Sequence, residues 1–178
     1  MGGIGDYPSS LRQLDLSHNQ ISSWFSCTES TEGSCCGGDC PHRTRFRRLE
    51  NLKTLLLAGN ALTALEVSFE ENSAHSAEGR KVLLWFPNLT MLDLSENKLS
   101  ELSPKIASLT QLSVLNLSGN KDLGELPPQL GLLSRIWNLN FQGCNLQEPL
   151  KSLVERKGSK TMDIVGYLKS KKIIATLN

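Results

Sequence analysis

Large apolar residues return along this chain in a fixed frame, apolar-x-x-apolar-x-apolar-x-x-Asn-x-apolar. Leu11, Leu14, Leu16, Asn19 and Ile21 fill it first, and Leu52, Leu55, Leu57, Asn60 and Leu62 fill it again. A third copy is Leu89, Leu92, Leu94, Asn97 and Leu99, with Leu102 following. The fourth is Leu112, Leu115, Leu117 and Asn120, where one extra residue delays the next leucine to Leu123. The fifth is Ile136, Leu139, Phe141, Cys144 and Leu146, with Cys144 in the asparagine place. A single copy would be weak, whereas five in one chain specify a repeat architecture.

The spacing dictates the element. In the apolar-x-apolar centre of each frame, two side chains point to one side of a short strand and the residue between them to the other. One such unit cannot close a core, so stability comes from stacking neighbours, each buried leucine contributing roughly 1.5–3 kcal/mol. This frame is that of leucine-rich repeats, and it predicts an α/β fold: a right-handed solenoid with a short parallel sheet on its concave face and a C-terminal capping helix. The asparagines turn the chain out of the strand and offer an amide to backbone groups left unpaired there, a structural role. Frames begin at Leu11, Leu52, Leu89, Leu112 and Ile136, which are 41, 37, 23 and 24 residues apart. The two long intervals carry insertions, expected as loops on the return side at 26–45 and 66–84.

The strand positions between and beside the core leucines face the concave surface. In columns these are Arg12, Lys53, Thr90, Ser113 and Trp137; Gln13, Thr54, Met91, Val114 and Asn138; Asp15, Leu56, Asp93, Asn116 and Asn140; and Ser17, Ala58, Ser95, Ser118 and Gln142. The candidate protein-binding face comprises Arg12, Gln13, Asp15, Lys53, Thr54, Leu56, Met91, Asp93, Val114, Asn116, Trp137, Asn138 and Asn140. Leu56, Met91, Val114 and Trp137 would form a diagonal apolar stripe, the composition of a contact hot spot. The competing reading packs Trp137 beneath the C-terminal cap, as large aromatics are usually well buried.

Charge and composition narrow the partners. Nineteen basic against eighteen acidic residues leave a formal charge of +1, no field to draw nucleic acid. No stretch approaches the roughly 18 consecutive apolar residues of a membrane span, and Met1 to Pro8 lack the regions of a signal peptide, so a cytoplasmic protein is expected. Asp6 stands where a myristoylation signal needs Ser or Thr. Five cysteines are an odd number, which excludes a complete internal disulfide framework and favours reduced thiols. Cys27, Cys35, Cys36, Cys40 and His42 are weak metal candidates by residue type, but their spacing matches no standard zinc site. The alternative is a Gly-rich insertion without metal, and no cofactor is expected.

Other short motifs carry less. Asn88-Leu89-Thr90 and Asn116-Leu117-Ser118 are glycosylation acceptors only in a secreted protein. Gly158-Ser159-Lys160-Thr161 echoes the end of a phosphate-binding loop, without its upstream glycine or the strand that would lead into it. His18, His42 and His75 have no partner spacing for acid–base work, so no catalytic residue is expected.

The pattern changes after the repeats of 1–147. Over 148–178 a short helical run opens at Glu148-Pro149-Leu150, breaks at Lys157-Gly158, and gives way to a second from Ser159. Met162, Ile164, Val165 and Leu168 predict an amphipathic helix able to cover the open end of the last repeat.

Three stretches resemble a known family. Asp122 to Gly131 (DLGELPPQLG), Leu133 to Leu139 (LSRIWNL) and Met162 to Lys169 (MDIVGYLK) look like the last repeats and exit helix of the leucine-rich repeat kinases of the Roco class. The likeness spans about Phe86 to Lys172. It implies a regulatory protein-interaction module set before a Ras-like GTPase, a dimerisation domain and a serine/threonine kinase, shielding or positioning those domains. The GTPase and kinase lie outside these residues, so this chain itself is expected to be no enzyme. Its partners would be protein surfaces, including kinase or GTPase domains of the same polypeptide. The alternative is a stand-alone ligand-recognition repeat protein of the innate-immunity kind.

Overall fold

The computed structural model describes residues 8, 10–22, 49–71 and 81–177. The insertion with Cys27, Cys35, Cys36, Cys40 and His42 lies outside them, as does the expected loop at 26–45. Each repeat frame yields one three-residue strand at its centre: β1 (Gln13–Asp15), β2 (Thr54–Leu56), β5 (Met91–Asp93), β6 (Val114–Asn116) and β7 (Asn138–Asn140). They form one five-stranded sheet in the order β1-β2-β5-β6-β7, with every pairing parallel. Between them β3 (Ser68–Glu71) and β4 (Lys81–Leu84) make a separate antiparallel pair.

Register follows from the leucines. Leu14, Leu55, Leu92, Leu115 and Leu139 stand opposite one another across the sheet, and all five point into the core. A slip of one residue would turn this whole row to solvent, so the apolar core holds the register. Leu52, Leu57, Leu62, Leu89, Leu94, Leu99, Leu112 and Leu117 are fully buried beside it. Among the described residues the first repeat has a neighbour on one side only, and Leu11, Leu16 and Ile21 are partly buried.

The asparagines tie repeat to repeat. Asn60, Asn97 and Asn120 each accept a backbone N–H from the preceding repeat, of Ile21, Leu62 and Leu99, at 3.0 Å. Their amides donate backwards too, to the carbonyls of Leu16, Leu57 and Leu94. The residue before the asparagine place takes a positive φ in every repeat: His18, Gly59, Glu96, Gly119 and Gly143. Gly119 shows why glycine suits it, since a Cβ there would also press on the Glu96 backbone at 3.3 Å.

The segment 66–84 differs from the expected loop, because its two ends pair as β3 and β4. Val67, Trp85 and Phe86 at the base of this hairpin are buried in the solenoid core. Their apolar spacing lies outside the repeat frame, so frame matching passes over them.

The return side carries 3-10 helical turns at Pro104–Ser108 and Pro128–Leu132. Two helices close the described chain, α1 (Leu150–Glu155) and α2 (Thr161–Leu177). Asp163 Oδ2 accepts the Lys160 N–H at 2.8 Å where α2 begins, so the Gly158–Thr161 stretch is a helix start. α2 buries Ile164, Val165 and Leu168, while Met162 is exposed and falls off the apolar face assigned to it. The place it covers also differs from expectation. α2 packs against the 3-10 turn Pro128–Leu132, where a Cβ on Gly131 would lie 2.5 Å from the Lys169 nitrogen. It therefore continues the row of helical turns on the return side and does not lie over the outer edge of β7. The physical reason is that Leu130 and Leu133 need cover on that side.

Candidate protein-binding face

Short strands with alternating side chains position this face. Around the buried leucine row, Gln13, Asp15, Asn138 and Asn140 are exposed, and Thr54, Leu56, Val114, Asn116 and Asp93 are half-buried. Thr54, Met91, Val114 and Asn138 stand in one cross-strand row, and Asp15, Leu56, Asp93, Asn116 and Asn140 in the next. Arg12, Lys53 and Trp137 lie just before their strands and are exposed. Ten of the thirteen sequence candidates stand on the strands themselves, and Arg12, Lys53 and Trp137 immediately before them. Leu56, Met91, Val114 and Trp137 run diagonally across both rows, with Met91 36% and Trp137 68% exposed. Trp137 is not beneath the C-terminal helices.

Polar groups at the strand ends are held in place by their own turns. Asp93 Oδ1 accepts both the Ser95 N–H at 2.9 Å and its hydroxyl at 2.6 Å. Asn116 Nδ2 donates to Asp93 Oδ2 at 3.2 Å, and Asn116 Oδ1 accepts from Ser118 in turn. Asp15 accepts the Ser17 N–H at 2.9 Å, and Asn140 accepts that of Gln142 at 3.0 Å. The Ser17 backbone N–H, then its hydroxyl, hold the Asp15 carboxyl below its ordinary value. The result is a row of fixed acceptors beside an apolar stripe, which suits contact with another protein surface. Among the described residues no set of His, Cys, Asp or Glu could hold a metal, and no helix is long and apolar enough to cross a membrane.

Sequence reasoning missed a second feature at the last repeat. A trough of about 500 Å³ opens between the turn after β7 and α1, lined by Leu139, Phe141, Cys144 and Leu146 on one side and Lys151 and Val154 on the other. Cys144 was the available signal. Its Sγ donates to Leu117 O at 3.1 Å, as the asparagines do, but it has no amide oxygen. Burial pushes its thiol pKa up, against a weaker lowering by the Asn120 backbone.

Comparison with known proteins agrees with the fold. The family "Leucine Rich repeats (2 copies)" matches residues 87–128, and "Leucine Rich Repeat" matches residues 10–29. The chain is a leucine-rich-repeat solenoid. It is 50% identical over 131 residues, 74% of its length, to leucine-rich repeat serine/threonine-protein kinase 1 of Caenorhabditis elegans. To the mouse protein of that name it is 32% identical over 123 residues, 61% of the chain. X-ray radiation resistance-associated protein 1 of mouse is 37% identical over 123 residues, 66% of the chain. The chain spans only 5%, 6% and 13% of these relatives' lengths. A solved leucine-rich-repeat protein of Leptospira interrogans superposes with a TM-score of 0.57, over 84% of this chain and 31% of its own, at 24% identity. That likeness is one of fold. The repeats are of the leucine-rich-repeat-kinase type.

Proposed function

We propose that this repeat chain is the protein-interaction and regulatory module of a cytoplasmic Roco-type GTPase/serine-threonine kinase, and that its sheet face lies against a kinase or GTPase domain. The 50% identity to a leucine-rich repeat kinase supports the assignment to such a parent. The observation that carries the binding face is Trp137, 68% exposed at the end of the diagonal stripe. A large aromatic left in water beside fixed polar acceptors is the composition of an energetic anchor, and truncating such an anchor costs about 2 kcal/mol or more of binding. Docking there would shield the partner domain sterically.

The test is a titration of the chain against separately expressed kinase and GTPase domains of a Roco-class protein. Trp137→Ala should weaken binding at least tenfold, and Met91→Ala less, with circular dichroism unchanged. Affinity that ignores both substitutions, or no binding by either domain, removes the proposal.

A further inference from the structure

Each strand of the main sheet meets its successor through the same backbone groups. The N–H of Leu57, Leu94 and Leu117 donates to the next strand at Asp93, Asn116 and Asn140, and that of Gly59, Glu96 and Gly119 to Ser95, Ser118 and Gln142. In the other direction, the carbonyls of Lys53, Thr90 and Ser113 accept from the next repeat. At β7 the corresponding groups are the N–H of Phe141 and Gly143 and the carbonyl of Trp137, and none has a partner among the described residues. The Leu146 N–H occupies the place of Leu62 and Leu99, whose N–H groups meet a following asparagine, and it too has no such acceptor. Beneath this edge lies the trough of about 500 Å³, where a following repeat would insert its leucines. α2 has taken the return-side place of that repeat, and its strand place is open among the described residues.

We propose that the outer edge of β7, together with this trough, is a second protein-binding site that takes an extended segment of a partner protein as a sixth parallel strand. The site continues the repeat-to-repeat interface, so that interface specifies the occupant: apolar-x-apolar-x-x-Asn. Its carbonyls receive the Phe141 and Gly143 N–H groups, its backbone N–H reaches the Trp137 carbonyl, its asparagine oxygen accepts from Leu146, and its apolar side chain fills the trough. An open sheet edge presents unpaired N–H and C=O groups as a template for another strand, and strand addition pairs them while side-chain pockets select the sequence. The edge is separate from the sheet face and does not depend on the kinase assignment.

The probe is a synthetic peptide copy of Thr90–Leu99 (TMLDLSENKL), which has the required frame, added to the full chain. Amide hydrogen exchange at Phe141, Gly143 and Leu146 should slow at least tenfold at saturating peptide. A peptide with the residues equivalent to Leu94 and Asn97 changed to serine should have no effect. Val154→Lys, which places a long side chain in the trough, should weaken binding at least tenfold in a chain that melts at the same temperature. Trp137→Ala, which keeps the backbone carbonyl, should weaken it less. No spectral change at about 1 mM peptide overturns the proposal. So does protection confined to the sheet face, exchange of the peptide for native β5, or binding that ignores Val154→Lys. Concentration-dependent self-association in sedimentation that protects the same three amides would make a second copy the occupant and overturn the partner segment.

Discussion

Asn97 Oδ1 accepts the backbone N–H of Leu62 at 3.0 Å, across 35 residues of sequence that include the whole β3–β4 hairpin. Its amide donates to Leu57 O, Leu94 O and Ser95 O in the same buried place. Two repeats separated by an insertion are thereby locked at one side chain.

Asn97→Ala should therefore be far more damaging than loss of one average hydrogen bond. It leaves the buried Leu62 N–H without its acceptor, an orphaned group that costs about 1–3 kcal/mol, and takes one of two amide donors from the carbonyls of Leu57 and Leu94, which keep Asn60 and Asn120. Urea denaturation of Asn97→Ala should show a loss of at least about 2 kcal/mol, and Asn19→Ala, whose side chain is exposed, less than half of that. Equal losses would show that the ladder does not act through burial.

Leu94→Ala and Asp93→Ala test the inside and outside of one strand end. Leu94 is fully buried with repeats on both sides, and truncating such a leucine costs ~2–5 kcal/mol. Asp93 faces the other way and gives up hydrogen bonds to Ser95 and Asn116, a change of about 1 kcal/mol. Equal midpoints in a denaturant titration would contradict the register.

Two glycines near the C-terminus should respond in opposite senses to alanine. Gly131→Ala puts a Cβ 2.5 Å from the Lys169 nitrogen and 2.9 Å from its Cα, so α2 must move off the 3-10 turn and uncover Ile164 and Leu168. Gly166 lies within α2 and a Cβ there meets nothing within 4 Å, so Gly166→Ala should stabilise by about 0.5–1 kcal/mol. Thermal melts should fall for the first and rise for the second; the same sign in both would place α2 elsewhere.

Cys144 should be a slow thiol. Burial raises its pKa, so less thiolate is present at pH 8 than for a free cysteine, and the thiolate is the nucleophile. Iodoacetamide labelling followed by peptide mapping should show its rate rising on unfolding in urea. Cys144→Asn keeps a donor to Leu117 O and should change stability by no more than about 1 kcal/mol. Native labelling as fast as in urea would mean that the thiol is not held in this place.

How the repeats stack was legible because a local frame repeats. Leucines with a period of two around each strand centre, then an asparagine three residues on, specify which side chains go inward, and the observed row from Leu14 to Leu139 has that register. The same alternation placed Asp15, Asp93, Asn116 and Asn140 on the outward side without any knowledge of their neighbours. Tertiary structure alone decided what the frame does not encode. Residues 68–71 and 81–84 pair antiparallel as β3 and β4 across a gap in sequence, which periodicity within one repeat cannot express. That Trp137 stays in water is one such outcome, and that α2 packs on the return side is another: Ile164, Val165 and Leu168 are buried there with Leu130 and Leu133, and burial of apolar area favours that docking. Local patterning settles which way a side chain points; which of two apolar surfaces a helix covers depends on the shape of both, and that exists only once the chain has folded.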